Sequence, residues 1–194
     1  CIGLAGNGRL IDWEIFNRPN KGSYNGFSHF GIKAEKEGKV LEARVLNGDL
    51  HPPFTGEVGR SHFNSYGFGP PRATMAGVPH FEEVDFRGEY PLAEINFKEG
   101  EELNFPGEVT MEAFNPFIPL NDEDSSIPGA FFEIEVENTT EEKLDYTLEL
   151  TLNNPLPYGT TINEYQEEKD ISLINFRSNE YEEDHPNYGE LSIA

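Results

Sequence analysis

At 194 residues the chain has the length of one domain and can bury a sizeable core. Its 36 acidic against 14 basic residues give a formal charge of −22, which disfavours binding to nucleic-acid phosphates or an anionic lipid surface, and no nucleic-acid partner is expected. A single cysteine excludes an internal disulfide framework and leaves the compartment open. No run approaches the roughly 18–20 apolar residues of a membrane-spanning helix.

Hydrophobic content is low at 36%, but 15 Phe and 8 Tyr supply large buried area per residue. The stretch Gly3 to Gly8 is glycine-rich, yet a strand rather than a helix follows it. It therefore reads as a tight turn and not as a phosphate-cradling loop. The first predicted strand, Leu10–Phe16, carries Ile11, Trp13 and Ile15 on one side and is broken at Arg18-Pro19-Asn20-Lys21-Gly22. Phe27–Ala34 and Val40–Leu46 read as a hairpin with a charged tip at Glu35–Lys39. The stretch from about 51 to 80 is a long Pro/Gly-rich loop without periodicity, its aromatics at Phe54, Phe63, Tyr66 and Phe68. A loop of that length in a domain is unusual unless it has a task.

Strands resume at Val84–Phe86, Leu92–Phe97 and Val109–Phe114. Next comes a connection stiffened by Pro116, Pro119 and Pro128, whose fixed φ and missing N–H groups pre-shape it around an acidic tip at Asn121–Ser126. Beyond it Phe132, Ile134 and Val136 alternate with Glu133, Glu135 and Glu137, the period of a sheet with one dry and one wet face. Phe131–Asn138 is expected to form a hairpin with Leu144–Asn153, whose dry stripe is Leu144, Tyr146, Leu148, Leu150 and Leu152. Ile171–Phe176 is a further strand, and Tyr188–Ile193 follows an acidic stretch. No 3.6-residue period is sustained. The expected fold is all-β: an antiparallel β-sandwich of two packed sheets, one domain over residues 1–194, with little or no helix.

Chemistry is sparse. His29, His51, His62, His80 and His185 lack metal-ligand spacing, and no cofactor is expected. Asn121-Asp122-Glu123-Asp124 offers oxygens suited to Ca²⁺ but lacks the mid-loop glycine and closing glutamate of an EF-hand, so a polar loop tip is expected. No serine sits in a G-x-S-x-G elbow. Glycoside hydrolysis needs two carboxylates held about 5–10 Å apart, a pair that sequence cannot single out among 36 acidic residues. Trp13 has a face suited to a sugar ring, although its place on a dry strand face favours the core. Asn138-Thr139-Thr140 matches a glycosylation sequon, which a turn selects equally well.

Two stretches go beyond a generic β pattern. Asn7-Gly-Arg-Leu-Ile-Asp-Trp-Glu-Ile-Phe-Asn-Arg-Pro-Asn-Lys-Gly22, followed by Gly26-Phe-Ser-His-Phe30, resembles the start of the N-terminal domain of glycoside hydrolase family 116. Phe68-Gly-Pro-Pro-Arg-Ala-Thr-Met-Ala-Gly-Val-Pro-His80, Phe86-Arg-Gly-Glu-Tyr-Pro91 and residues 113–137 resemble the same domain in the same order. That family includes bacterial β-glucosidases and non-lysosomal glucosylceramidases. The resemblance implies a parent enzyme with an N-terminal sandwich and a catalytic (α/α)₆ barrel, which hydrolyses β-glucosides with retention through a Glu nucleophile and an Asp acid/base. Both catalytic residues belong to the barrel and match no position here, so no catalytic residue is assigned. By the same resemblance the chain is expected to be part of a larger N-terminal domain. The expected partner is the helical barrel of the same parent chain, and Trp13, Tyr66, Arg72 and His80 are the candidate carbohydrate-binding or interdomain residues. The alternative expectation is a free-standing carbohydrate-binding module, which needs an exposed row of aromatics or a concave loop cluster.

Overall fold

Alternating apolar and acidic residues build strands here, and the computed structural model describes residues 2–15, 28–49, 77–100, 104–156 and 159–194. Among the described residues the regular secondary structure is strand except for one four-residue helical turn, α1 (Asp122–Ser125). A short hairpin, β1 (Gly3–Leu4) with β2 (Leu10–Ile11), opens the chain. Its turn is closed by Ala5 N–H donating to Arg9 O at 2.9 Å and Gly8 N–H donating to Ala5 O at 2.9 Å. The glycine-rich opening is thus a turn between strands.

One four-stranded sheet has the order β10 (Asp145–Thr151), β3 (His29–Lys36), β4 (Lys39–Gly48), β5 (His80–Phe81). Strands β3 and β4 form the expected hairpin. Its two-residue turn is Glu37-Gly38, with φ of 51° and 78°, the left-handed pair whose twist matches that of the flanking strands. Strand β5 pairs with β4 in parallel, the one exception to antiparallel pairing among the named strands. The second four-stranded sheet is a meander of β6 (Glu83–Glu89), β7 (Leu92–Lys98), β8 (Glu108–Phe114) and β9 (Phe131–Glu137). A third sheet joins β11 (Thr161–Glu168), β12 (Ile171–Ser178) and β13 (Leu191–Ile193).

The core lies between the two four-stranded sheets. Phe30, Ile32, Ala34 and Leu46 come from one, and Ile95, Phe97, Val109 and Met111 from the other, joined by Leu10, Trp13, Phe81 and Phe105. Rings interlock across it: Phe30 meets Phe132 at 5.1 Å, and Phe81 meets both Phe97 and Phe105. The all-β expectation holds.

One pairing differs from expectation. Strands β9 and β10 are consecutive and both alternate, but they do not form a hairpin. Strand β9 pairs with β8 from Glu108↔Glu137 to Phe114↔Phe131, while β10 pairs with β3 from Asp145↔Glu35 to Thr151↔His29. Residues 138–144 cross from one sheet to the other, and β9 and β10 bury the same alternate side chains against the core from opposite sides. In this crossing Asn138 Oδ1 accepts from Thr140 N–H at 2.9 Å, and its Nδ2 donates to Glu142 O at 2.8 Å. The sequon asparagine is a loop brace. Because β10 is an edge strand, Leu148 stays 46% exposed despite its place in the apolar stripe.

Candidate functional site

The β6–β9 sheet divides its side chains cleanly. Its core face carries Ile95, Met111 and Ile134 in one cross-strand row and Phe97, Val109 and Val136 in the next. On the opposite face Glu94, Glu112 and Glu133 stand directly opposite one another, with Asn96, Thr110 and Glu135 in the adjacent row. Like charges in direct opposition weaken a sheet slightly, so this ladder is tolerated because water screens it.

At one end of that same face the pattern turns apolar. Leu92, Phe114 and Phe131 form a cross-strand row, and the rings of Phe114 and Phe131 stack at 5.3 Å and 13°. Tyr90, in the β6–β7 turn, meets Phe117 edge-on at 5.3 Å. Ile118, Leu120 and Ile127 extend the apolar set along the β8–β9 connection, and all of these except Phe114 are large hydrophobics exposed to solvent. Tyr90 is 80% exposed and Leu120 fully so. Contiguous exposed apolar surface of this kind marks an interaction site more often than a scatter of single residues does.

Local chemistry holds this end in shape. Three prolines stiffen the connection, and Ser125 Oγ accepts from Ile118 N–H at 2.9 Å and donates to Ile118 O at 3.1 Å. Asn121 caps α1 by accepting from Asp124 N–H at 3.1 Å, and its Nδ2 donates to the Asp124 carboxylate at 2.6 Å. Asn115 Nδ2 donates to Gly129 O and closes the base of the loop. Leu120 itself has φ of 65°, a left-handed conformation that costs a non-glycine residue about 1 kcal/mol or more. The fold holds a strained residue and leaves its side chain in water. Among the described residues, no group of three or more His, Cys, Asp or Glu is arranged to hold a metal ion.

A second notable group lies inside the molecule. Arg44 (β4) stands opposite Ile32 of β3 on the core face of their sheet, and its Nε donates to Glu99 Oε1 at 3.0 Å, just past the end of β7. Its Nη1 donates to Glu42 at 2.6 Å and to Ala43 O at 2.9 Å. The pair therefore ties one sheet to the other. The side chains of Arg44 and Glu99 are only 6% and 11% exposed. Burial pushes the Glu99 carboxyl above its ordinary range, with Arg44 pulling against that shift, and Glu99 Oε2 is buried without a hydrogen-bond partner.

The residues singled out in the sequence fall in different places. Trp13 is 5% exposed and belongs to the core cluster. His80 opens β5, partly buried, with Nδ1 2.9 Å from Val78 O. Tyr66 and Arg72, with residues 51–76 of the long loop, lie outside the described residues. The exposed aromatic end was not anticipated as a site. Its signals were the Tyr90-Pro91 turn and the proline-braced loop with outward Phe117 and Leu120.

A family model described as beta-glucosidase 2, glycosyl-hydrolase family 116 N-term matches residues 1–194, the whole chain. No curated protein matches it.

Proposed function

The chain belongs to the family of glycosyl-hydrolase family 116 N-terminal domains, and from that membership we propose that it is a non-catalytic sandwich domain buttressing the helical catalytic barrel of a retaining β-glucosidase. The observation that carries this reading is the exposed apolar end built from Tyr90, Leu92, Phe117, Leu120 and Phe131. A surface of aromatics held rigid by neighbouring turns has the composition of an interface core. Carboxylates stand beside it at Asp122, Glu123, Asp124 and in the Glu94–Glu112–Glu133 row, so the complementary face on the barrel is apolar with a basic rim.

The internal electrostatics support a non-catalytic role. Glu99 has the raised pKa expected of a glycosidase acid, but it is buried between the sheets on Arg44. A substrate needs an open path to such a group. The test is hydrolysis of an aryl β-glucoside by the purified chain alone, by the separately produced barrel, and by the two together. No turnover is expected from the chain alone, and its addition should stabilise the barrel. Activity of the chain alone that survives purification would overturn the reading.

A further inference from the structure

The third sheet supports a cleft that neither the core nor the aromatic end uses. It lies between β12 and the turn that leads into β13, has a volume of about 270 Å³, and is lined chiefly by Arg177, Asn179, Tyr181, Glu182, Tyr188 and Glu190. This is slightly below the usual range for small-molecule pockets and matches a single ring better than an extended chain. The turn is internally bonded: His185 N–H donates to Glu182 O and Tyr188 N–H to His185 O, each at 2.9 Å. Tyr181 and His185 stack at 4.2 Å and 11°. The walls are thus preformed.

The chemistry of the lining removes most ligand classes. Glu182, Glu183 and Glu190 repel anions. Arg177 in the same wall opposes a small cation, and among the described residues no trio of ligands for a metal is present. The lining is too polar for a hydrocarbon. What remains is a neutral ligand rich in hydroxyl groups. Each hydroxyl both donates and accepts, and the cleft offers both functions side by side. Arg177 is bound to Glu164, while its Nε is a buried donor without a hydrogen-bond partner, 3.9 Å from the nearest Glu190 oxygen. Asn179 spends Oδ1 on Thr160 N–H at 2.9 Å, which leaves its NH₂ group as a donor. Desolvation, the nearby Glu190 and Glu183 and a hydrogen bond to Glu190 raise the Tyr188 pKa against the pull of Arg177. Tyr181, one face of which lies on His185, and Tyr188 line the same wall with apolar ring surface of the kind on which the C–H side of a sugar ring packs.

We propose that this cleft binds the terminal pyranose ring of a neutral glycoside, with Arg177, Asn179 and Glu190 taking its hydroxyls and the tyrosines its ring. The proposal does not depend on the aromatic end docking a barrel, because the two surfaces share no residue. The test is an NMR titration of the full 194-residue chain with methyl β-D-glucopyranoside, read at backbone amides. Saturable shifts confined to residues around 162 and 177–190 are expected at millimolar sugar, weakened about tenfold in Arg177→Lys, which keeps the charge but loses the planar fork. Tyr188→Ala provides a second variant, so that one of the two decides if the other disturbs the third sheet. Intact β11–β12 amide patterns establish that the sheet has survived. Absence of saturable shifts, equal shifts with glycerol, or unchanged binding in a variant with the sheet intact would each overturn the proposal.

Discussion

Replacing Tyr90 with Ala separates an interface role from a structural one. Tyr90 is 80% exposed, so of the roughly 200 Å² an aromatic side chain offers, about 160 Å² remains to be covered by a partner. At about 25 cal/mol/Å² this sets a ceiling near 4 kcal/mol, and truncation at interface hot spots typically costs about 2–4 kcal/mol. The expected loss of affinity for the catalytic barrel is therefore about 30- to 1000-fold. Within the chain itself Tyr90 gives up chiefly its edge-on contact with Phe117, worth about 0.5–1.5 kcal/mol. Calorimetric titration of the chain into separately produced barrel measures the first quantity, and urea unfolding of the chain measures the second. Val40→Ser is the control, because Val40 is half exposed at the tip of the β3–β4 hairpin, on the other sheet. Affinity unchanged by Tyr90→Ala, or weakened equally by Val40→Ser, would refute the assignment of this surface.

Three further outcomes test the fold beneath it. Gly8→Ala should cost more than about 3 kcal/mol in urea unfolding, since φ is +92° and a Cβ would sit 2.5 Å from Leu46 O and 2.9 Å from the Phe97 ring. Gly38→Ala, at φ +78° with nothing within 4 Å, should cost only the backbone strain of about 1–2 kcal/mol, so equal losses would show that the close approach at Gly8 is absent. Arg44→Met should destabilise by about 3–5 kcal/mol at neutral pH by leaving Glu99 buried without its partner. Glu99→Gln should therefore raise stability more in the Arg44→Met background than in the parent, and equal gains in the two backgrounds would exclude the coupling. Glu99→Gln alone tests the sign of the pKa shift. A carboxyl raised in the folded state adds stability at pH below its unfolded value of about 4.3, and that contribution is lost as pH rises through the folded value. The variant should thus match the parent in acid and exceed it at neutral pH, as followed by thermal unfolding across that range; a parent more stable than the variant at neutral pH would contradict the direction.

Legibility in the sequence tracked the presence of one dry face. Strands β3, β7, β8 and β9 each place alternate apolar side chains in a single core, and their period of two is readable. Strand β11 was missed because Ile162 and Tyr165 fall on opposite faces and both remain exposed, so no alternation arises. The partner of β9 was misread for a different reason. Alternation reports which side chains are buried, and two strands facing each other across a core bury the same pattern as two strands paired edge to edge. A short polar connection such as 138–144 serves either geometry. The aromatic end escaped for the converse reason: Phe114 and Phe131 lie outside the core-facing pattern, and only their register at the end of β8 and β9 brings them together.

The two electrostatic regimes of the chain bear on how it would serve an enzyme. The formal charge of −22 is carried to a large extent on wet strand faces such as Glu94, Glu112, Glu133 and Glu135, where screening makes each repulsion small. Inside, Arg44 holds Glu99 between the sheets, where a charge is costly unless paired, and reaches the more exposed Glu42 as well. A surface so uniformly acidic opposes association of two copies of the chain, because bringing the aromatic ends together would also bring Asp122, Glu123 and Asp124 of one copy against those of the other. The same carboxylates favour a partner whose rim is basic. In the proposed role, charge would select against self-association while the apolar end would supply the contact area with the one partner.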